Sequence, residues 1–223
     1  ASLQLALALN PQFAEAQGSL GNVLRAQGRL EEAVASYRKA LAIKADFAEV
    51  HSNLGLVLHD LGNLDEAVAS YQKALAINPN FADAHSNLGN ALRAQGMLDE
   101  AAAHFIQALT VNPNLAEAHS NFGLVLHDLG KVDEAVASYQ KALTIKPAYA
   151  DAYNNLGNAL RECNRLDDAI ESYNRAIAIR PDYAEANWNK SLTLLSAGNF
   201  AAGWPLYEWR WKRGELSRHQ RQS

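Results

Sequence analysis

Five asparagines stand 34 residues apart, at Asn53, Asn87, Asn121, Asn155 and Asn189. A side-chain amide both donates and accepts hydrogen bonds, so a row of them suits the alternating N–H and C=O groups of an extended polypeptide. Asparagine is a mediocre helix former because its amide competes with the backbone, and each mid-helix copy costs roughly a few tenths of a kcal/mol. Something beyond local propensity therefore favours it. The same period carries His51, His85 and His119, and a carboxylate series at Glu15, Glu49, Asp83, Glu117, Asp151 and Glu185. Packed helices stand about 10 Å apart, far too wide for three histidines to share a metal at about 2 Å. The carboxylates fall where helices would begin, and the positive end of the helix dipole is their simplest account. No phosphate loop, nucleophile motif or paired-carboxylate constellation stands out, so the chain itself is expected not to be an enzyme and to need no cofactor or metal.

The elements that would position these side chains follow from the period. Alanine recurs at Ala14, Ala48, Ala82, Ala116, Ala150 and Ala184, with a Leu-Gly or Phe-Gly pair six residues later, as at Leu54-Gly55 and Phe122-Gly123. A second alanine series (Ala33, Ala67, Ala101, Ala135, Ala169) precedes an aromatic by four residues (Tyr37, Tyr71, Phe105, Tyr139, Tyr173), and proline closes most units, with Ala45 as the exception. Within one unit, Leu54, Val57, Leu58 and Leu61, then Ala67, Val68, Tyr71, Ala74, Leu75 and Ile77, follow the three-and-four spacing of one apolar stripe on each of two helices. Gly28, Gly62, Gly96, Gly130 and Gly198 fall where the first helix must stop in a left-handed residue, and Asn164 takes that place in the fifth unit. The glycine of the Leu-Gly pair and the alanine of the second helix are small where the helices would cross, which predicts close backbone approach.

Among repeat architectures, a 34-residue unit with leucine-glycine, alanine, aromatic and proline at these places resembles the tetratricopeptide repeat. The resemblance implies an all-α, right-handed superhelical solenoid of tandem hairpins. Its units would be a partial repeat (second helix only) at 1–13, full repeats at 14–47, 48–81, 82–115, 116–149 and 150–183, a divergent terminal repeat at 184–213, and a basic tail at 214–223. The runs HSNLGNALRAQG, HSNLGLVLHDLG, HSNFGLVLHDLG and NNLGNALRECN look like the superhelical repeats of O-linked N-acetylglucosamine transferase. The closing GW.LYEWRW stretch is similar to the last repeat of bacterial tetratricopeptide proteins that a glycosyltransferase-like domain often follows. In that family the asparagine before the leucine-glycine lines the inside of the superhelix and bonds the backbone of protein substrates. By motif this role carries to Asn53, Asn87, Asn121 and Asn155; Asn189 matches by register alone, since Lys190-Ser191 follows it.

On the same faces lie Asn90 and Asn158, alternating with Leu56 and Leu124, and His59, Arg93, His127 and Arg161 beside them. These complete the expected peptide-binding set. An extended chain advances about 3.3–3.6 Å per residue, so one asparagine would meet about every third ligand residue and would read backbone rather than sequence. The alternative is structural: residues 48 to 81 and 116 to 149 are nearly copies, and duplication would multiply an amide that merely bonds a neighbouring helix. Lysines that would clamp a chaperone's free carboxylate are absent from the corresponding positions, which hold Ser52, Ser86, Ser120 and asparagines.

The last unit departs from the pattern, with Lys190-Ser191 for leucine-glycine, Gly203 for alanine, and Trp204, Tyr207, Trp209 and Trp211 crowded into one short helix. Such rings bury large areas when packed. Either the helix folds back on the preceding hairpin, or its surface supports self-association or domain docking, and the incomplete first unit offers a second route to a homo-oligomer. A formal charge of −4, with Arg210, Lys212, Arg213, Arg218 and Arg221 confined to the end, argues against nucleic acid. No apolar run approaches a membrane span. The single Cys163 cannot close an internal disulfide, and a reducing, cytoplasmic setting is expected. Partners should be protein segments in extended conformation; the chief alternative is a self-associating scaffold with no peptide ligand.

Overall fold

The computed structural model describes Asn10 and residues 13–212. Those residues form twelve α-helices and no strand. The expected partial repeat at 1–13 and the basic tail at 214–223 fall almost wholly outside them. The helices are α1 (Ala14–Ala26), α2 (Leu30–Ile43), α3 (Ala48–Asp60), α4 (Leu64–Ile77), α5 (Ala82–Ala94) and α6 (Leu98–Val111) in a first compact unit. A second unit holds α7 (Ala116–Asp128), α8 (Val132–Ile145), α9 (Ala150–Glu162), α10 (Leu166–Ile179), α11 (Ala184–Ser196) and α12 (Phe200–Tyr207). Each odd helix packs against the even helix after it, and each even helix against the next odd one of its unit.

Helix starts owe little to side-chain caps. Among the described helices only α12 has one, Asn199 Oδ1 accepting from the Ala202 N–H at 3.2 Å. Acidic first turns, such as Glu31 and Glu32 in α2, complement the dipole instead. The stops are sharper. Gly62 has φ +78° and Asn164 φ +58°, and the residue beyond each reaches back five positions, Asn63 N to Leu58 O at 2.8 Å and Arg165 N to Leu160 O at 2.9 Å. This double wrap satisfies carbonyls that the helix end would orphan. After the second helices the chain turns extended at Asn78 and Lys146, as a residue before proline prefers. Lys44 adopts the same geometry before Ala45, so proline reinforces this turn without being required for it.

At the hairpin crossing, the glycine of the first helix faces the aromatic ring of the second. A Cβ on Gly55 would stand 2.8 Å from the Tyr71 ring, and one on Gly157 2.5 Å from Tyr173. The glycine is empty so that the aromatic of the second helix can lie flat against the first. Those rings, Tyr37, Tyr71, Phe105, Tyr139 and Tyr173, are sealed from solvent together with Ala33, Ala67, Ala101, Ala135 and Ala169. In the second unit Tyr139 and Tyr173 belong to one core with Leu126, Leu156 and Leu160.

The terminal hairpin exchanges these sizes. Ser191 occupies the glycine register and its hydroxyl donates to the Gly203 carbonyl at 3.0 Å, while a Cβ on Gly203 would meet Leu195 at 2.7 Å. With its seat filled, Tyr207 lies instead against Trp188, ring centroids 4.8 Å apart.

Candidate functional site

The asparagine register falls in the middle of the odd helices, two residues before the glycine that receives the aromatic ring. That ring fixes the rotation of the helix, so the amide cannot turn into the hairpin. Its five copies meet different surroundings. Asn53 donates to Asn22 Oδ1 on α1 at 3.1 Å. Asn189 is only 9 % exposed and donates to Asn154 Oδ1 on α9 at 3.0 Å. At these two positions the N–H is spent joining first helices of successive repeats. Asn87, Asn121 and Asn155 are half-buried, and among the described residues their side chains make no hydrogen bond.

The neighbouring register has a layout that sequence reasoning missed. Tyr37 Oη donates to Asn22 Oδ1 at 2.7 Å and Tyr173 Oη to Asn158 Oδ1 at 2.9 Å, so each hydroxyl reaches through its hairpin to the first-helix face. Burial pushes the Tyr173 phenol up to about 12, so it stays a donor at neutral pH. Asn90 lies opposite Phe105, which has no hydroxyl to offer. Asparagine fifteen residues before tyrosine was the signal available in the sequence.

The charged members divide similarly. His127 Nε2 lies 3.0 Å from Glu162 Oε1, joining α7 to the end of α9, and Arg161 is half-buried near the Tyr173 hydroxyl. His59 and Arg93 are half-buried at the ends of α3 and α5. The leading carboxylates do more than face a dipole. Glu15, Glu117 and Asp151 pair with Lys44, Lys146 and Arg180 at 3.6, 3.3 and 3.0 Å. Each cation also lies over an aromatic ring, Phe47, Tyr149 or Tyr183, at 4.3–4.6 Å. Burial alone would raise the Asp151 carboxyl; hydrogen bonds from Arg180 and Tyr183 outweigh it and hold the group below its ordinary value.

The histidine series has a structural role. His51 Nε2 donates to Ala45 O at 2.9 Å and His85 Nε2 to Pro79 O at 3.0 Å, tying each first helix to the turn before it. His85 Nδ1 also meets His104 Nδ1 at 3.0 Å. Because a carbonyl accepts only, His85 carries its proton on Nε2, and His104 must donate from Nδ1. Burial and His85 together lower the His104 pKa against the opposing pull of Glu100. Among the described residues no three metal-ligating side chains converge, and no helix is long and apolar enough to cross a membrane. Cys163 Sγ lies 3.7 Å from Asp133 Oδ1, and burial with that carboxylate raises the thiol pKa, the reverse of an activated nucleophile.

The aromatic cluster splits. Tyr207 is held by Trp188 and by the edge of Trp204, and Lys212 Nζ sits 3.9 Å over Trp209. Trp204 and Trp211 remain 57 % and 64 % exposed. A separate cleft of about 750 Å³ opens beside α2, α3 and α4, lined by Arg38, Leu41, His51, Glu66, Lys73 and Ile77 among others, and contains none of the asparagines.

Known proteins place this arrangement. The family model described as TPR repeat matches residues 21–62, 56–96, 89–130, 123–160 and 157–198. No curated protein matches the chain. Among solved structures, the chain is similar to YrrB, described as a TPR protein with an unusual peptide-binding site, at 28 % identity over 83 % of this chain and 96 % of that one, TM-score 0.67. MamA is similar at 27 % identity over 74 % of this chain and 96 % of that one, TM-score 0.66. PilF of Pseudomonas aeruginosa shares the fold, with 22 % identity, 94 % and 97 % coverage and TM-score 0.80. Glycine-seated aromatics at a 34-residue period, under a repeat model spanning most of the hairpins, mean that the chain belongs to the tetratricopeptide repeat family and is a protein–protein interaction module.

Proposed function

We propose that the chain holds extended protein segments on its first helices through side-chain amides, as the substrate-recruiting arm of a larger glycosyltransferase-like protein. The observation that carries the binding reading is the set of half-buried, unspent amides at Asn87, Asn121 and Asn155. A polar group that pairs with neither protein nor core is open to a ligand, and an amide matches both the donor and the acceptor of a peptide unit. Asn53 contributes through its remaining oxygen, while Asn189, buried on Asn154, belongs to the scaffold. The likeness to YrrB, whose description names a peptide-binding site, supports the same class of ligand. The recruiting-arm role rests on the HSNLG-type runs and their resemblance to O-linked N-acetylglucosamine transferase. The chain itself supplies binding and no catalytic group.

Each amide contact adds about 0.5–1.5 kcal/mol before ordering costs, so retention needs several repeats acting together. The test is Asn87→Ala/Asn121→Ala/Asn155→Ala, compared with wild type in capture of display-selected peptides, with helicity checked by circular dichroism. Capture should collapse while helicity holds; undiminished capture would make these amides structural.

A second reading is favoured by Trp204 and Trp211, more than half exposed beside Arg210 and Lys212: a scaffold that self-associates through this helix. Light scattering across concentration distinguishes it, since a mass that grows with concentration and falls back in Trp204→Ser/Trp211→Ser would establish self-association.

A further inference from the structure

We infer that the third repeat grips a bound segment hardest, because Phe105 leaves Asn90 unclaimed and so makes Asn87 and Asn90 a double amide grip. The inference rests on the peptide-holding reading above and assigns within it the position that sets affinity. In the first and fifth repeats the hydroxyls of Tyr37 and Tyr173 occupy the oxygens of Asn22 and Asn158. In the second and fourth, Leu56 and Leu124 replace the asparagine. Only the third repeat combines asparagine with phenylalanine. Phe105 is fully buried, and a Cβ on Gly89 would meet its ring at 2.8 Å, the distance found between Gly55 and Tyr71. The ring therefore sits where the tyrosines sit, lacking only the oxygen. Asn90 is half-buried, and among the described residues its amide makes no hydrogen bond.

The spacing defines the ligand chemistry. Residues three apart on a helix carry Cβ atoms about 5–6 Å apart. Alternate residues of an extended chain lie about 6.6–7.2 Å apart and present their N–H and C=O on the same edge. Flexible amides at Asn87 and Asn90 span that difference, each accepting from one N–H and donating to one C=O. The ligand is thus an extended polypeptide with a free N–H at two alternate residues; proline or N-methylation at either removes the grip.

The test is Phe105→Tyr, a substitution that restores the residue found in the other four full repeats. Fluorescence polarisation with a labelled, end-capped twelve-residue Ser-Ala repeat peptide should show affinity weakened about 2- to 12-fold, the worth of one hydrogen bond. Asn90→Ala should weaken it alike, and the double variant no further. In ¹H–¹⁵N spectra the Asn90 side-chain amide should shift in Phe105→Tyr. An unchanged affinity or an unmoved Asn90 resonance overturns the inference. If wild type and the Asn87/Asn121/Asn155 triple variant hold the peptide equally, the parent reading fails as well; sensitivity of the triple variant alone, with Phe105→Tyr inert, sinks only the present one.

Discussion

Gly157→Ala places a methyl group where Tyr173 lies, and the sign of its effect discriminates between two accounts of the repeat. Helix propensity by itself favours alanine over glycine by about 0.8–1.0 kcal/mol. The structure opposes this, because the new Cβ would stand 2.5 Å from the Tyr173 ring, against the 3.4 Å at which ordinary contact begins. The ring must move by about 0.9 Å, yet it is sealed on every side and tethered by its hydroxyl to Asn158 at 2.9 Å. Overpacking of this kind costs about 1–3 kcal/mol, and loss of the tether adds about 0.5–1.5 kcal/mol. After subtracting the propensity gain, the variant should be destabilised by about 0.5–4 kcal/mol. Urea denaturation followed by circular dichroism measures it as a lower midpoint. Adding Tyr173→Ala should show strong non-additivity, since the second change removes the obstacle that the first one meets. A Gly157→Ala protein as stable as wild type, or more so, would refute the idea that this glycine exists for the ring. The last hairpin already carries the experiment in natural form, for Ser191 fills the seat and Tyr207 has moved to Trp188.

Two further outcomes follow from the same geometry. Gly96→Ala introduces no clash, since no atom lies within 4 Å of the new Cβ, but φ is +80°, so chemical denaturation should show a loss of about 1–2 kcal/mol from backbone strain alone. His104 has a folded pKa below its unfolded value, so folding disfavours its proton. Its contribution is intact above the unfolded value near 6.5 and is lost as pH falls through that range. His104→Ser, which installs the residue of the other full repeats, should flatten the dependence of the melting temperature between pH 7.5 and 5; an unchanged slope would show that the pair is not its source.

Fold class and helix boundaries were legible because they repeat. A glycine, an alanine and an aromatic at fixed offsets state the same hairpin five times, and the left-handed stops at Gly62 and Asn164 require only local backbone chemistry. The candidate site was legible as a register of asparagines but not as a set of available amides. Whether Asn53 or Asn87 is free depends on which side chain stands across the inter-helix gap, and that neighbour is 31 residues away for Asn53.

Sequence by itself determined the period, the helices and the places where polar side chains interrupt them, because propensity, capping and apolar spacing act within a few residues. Tertiary structure alone decided what those side chains do. Packing carried the Tyr37 hydroxyl through its hairpin to Asn22, buried Asn189 against Asn154, and left Asn90 open where Phe105 carries no oxygen. An amide commits to whichever partner lies within about 3 Å, and only the folded chain brings residues of different repeats to that distance.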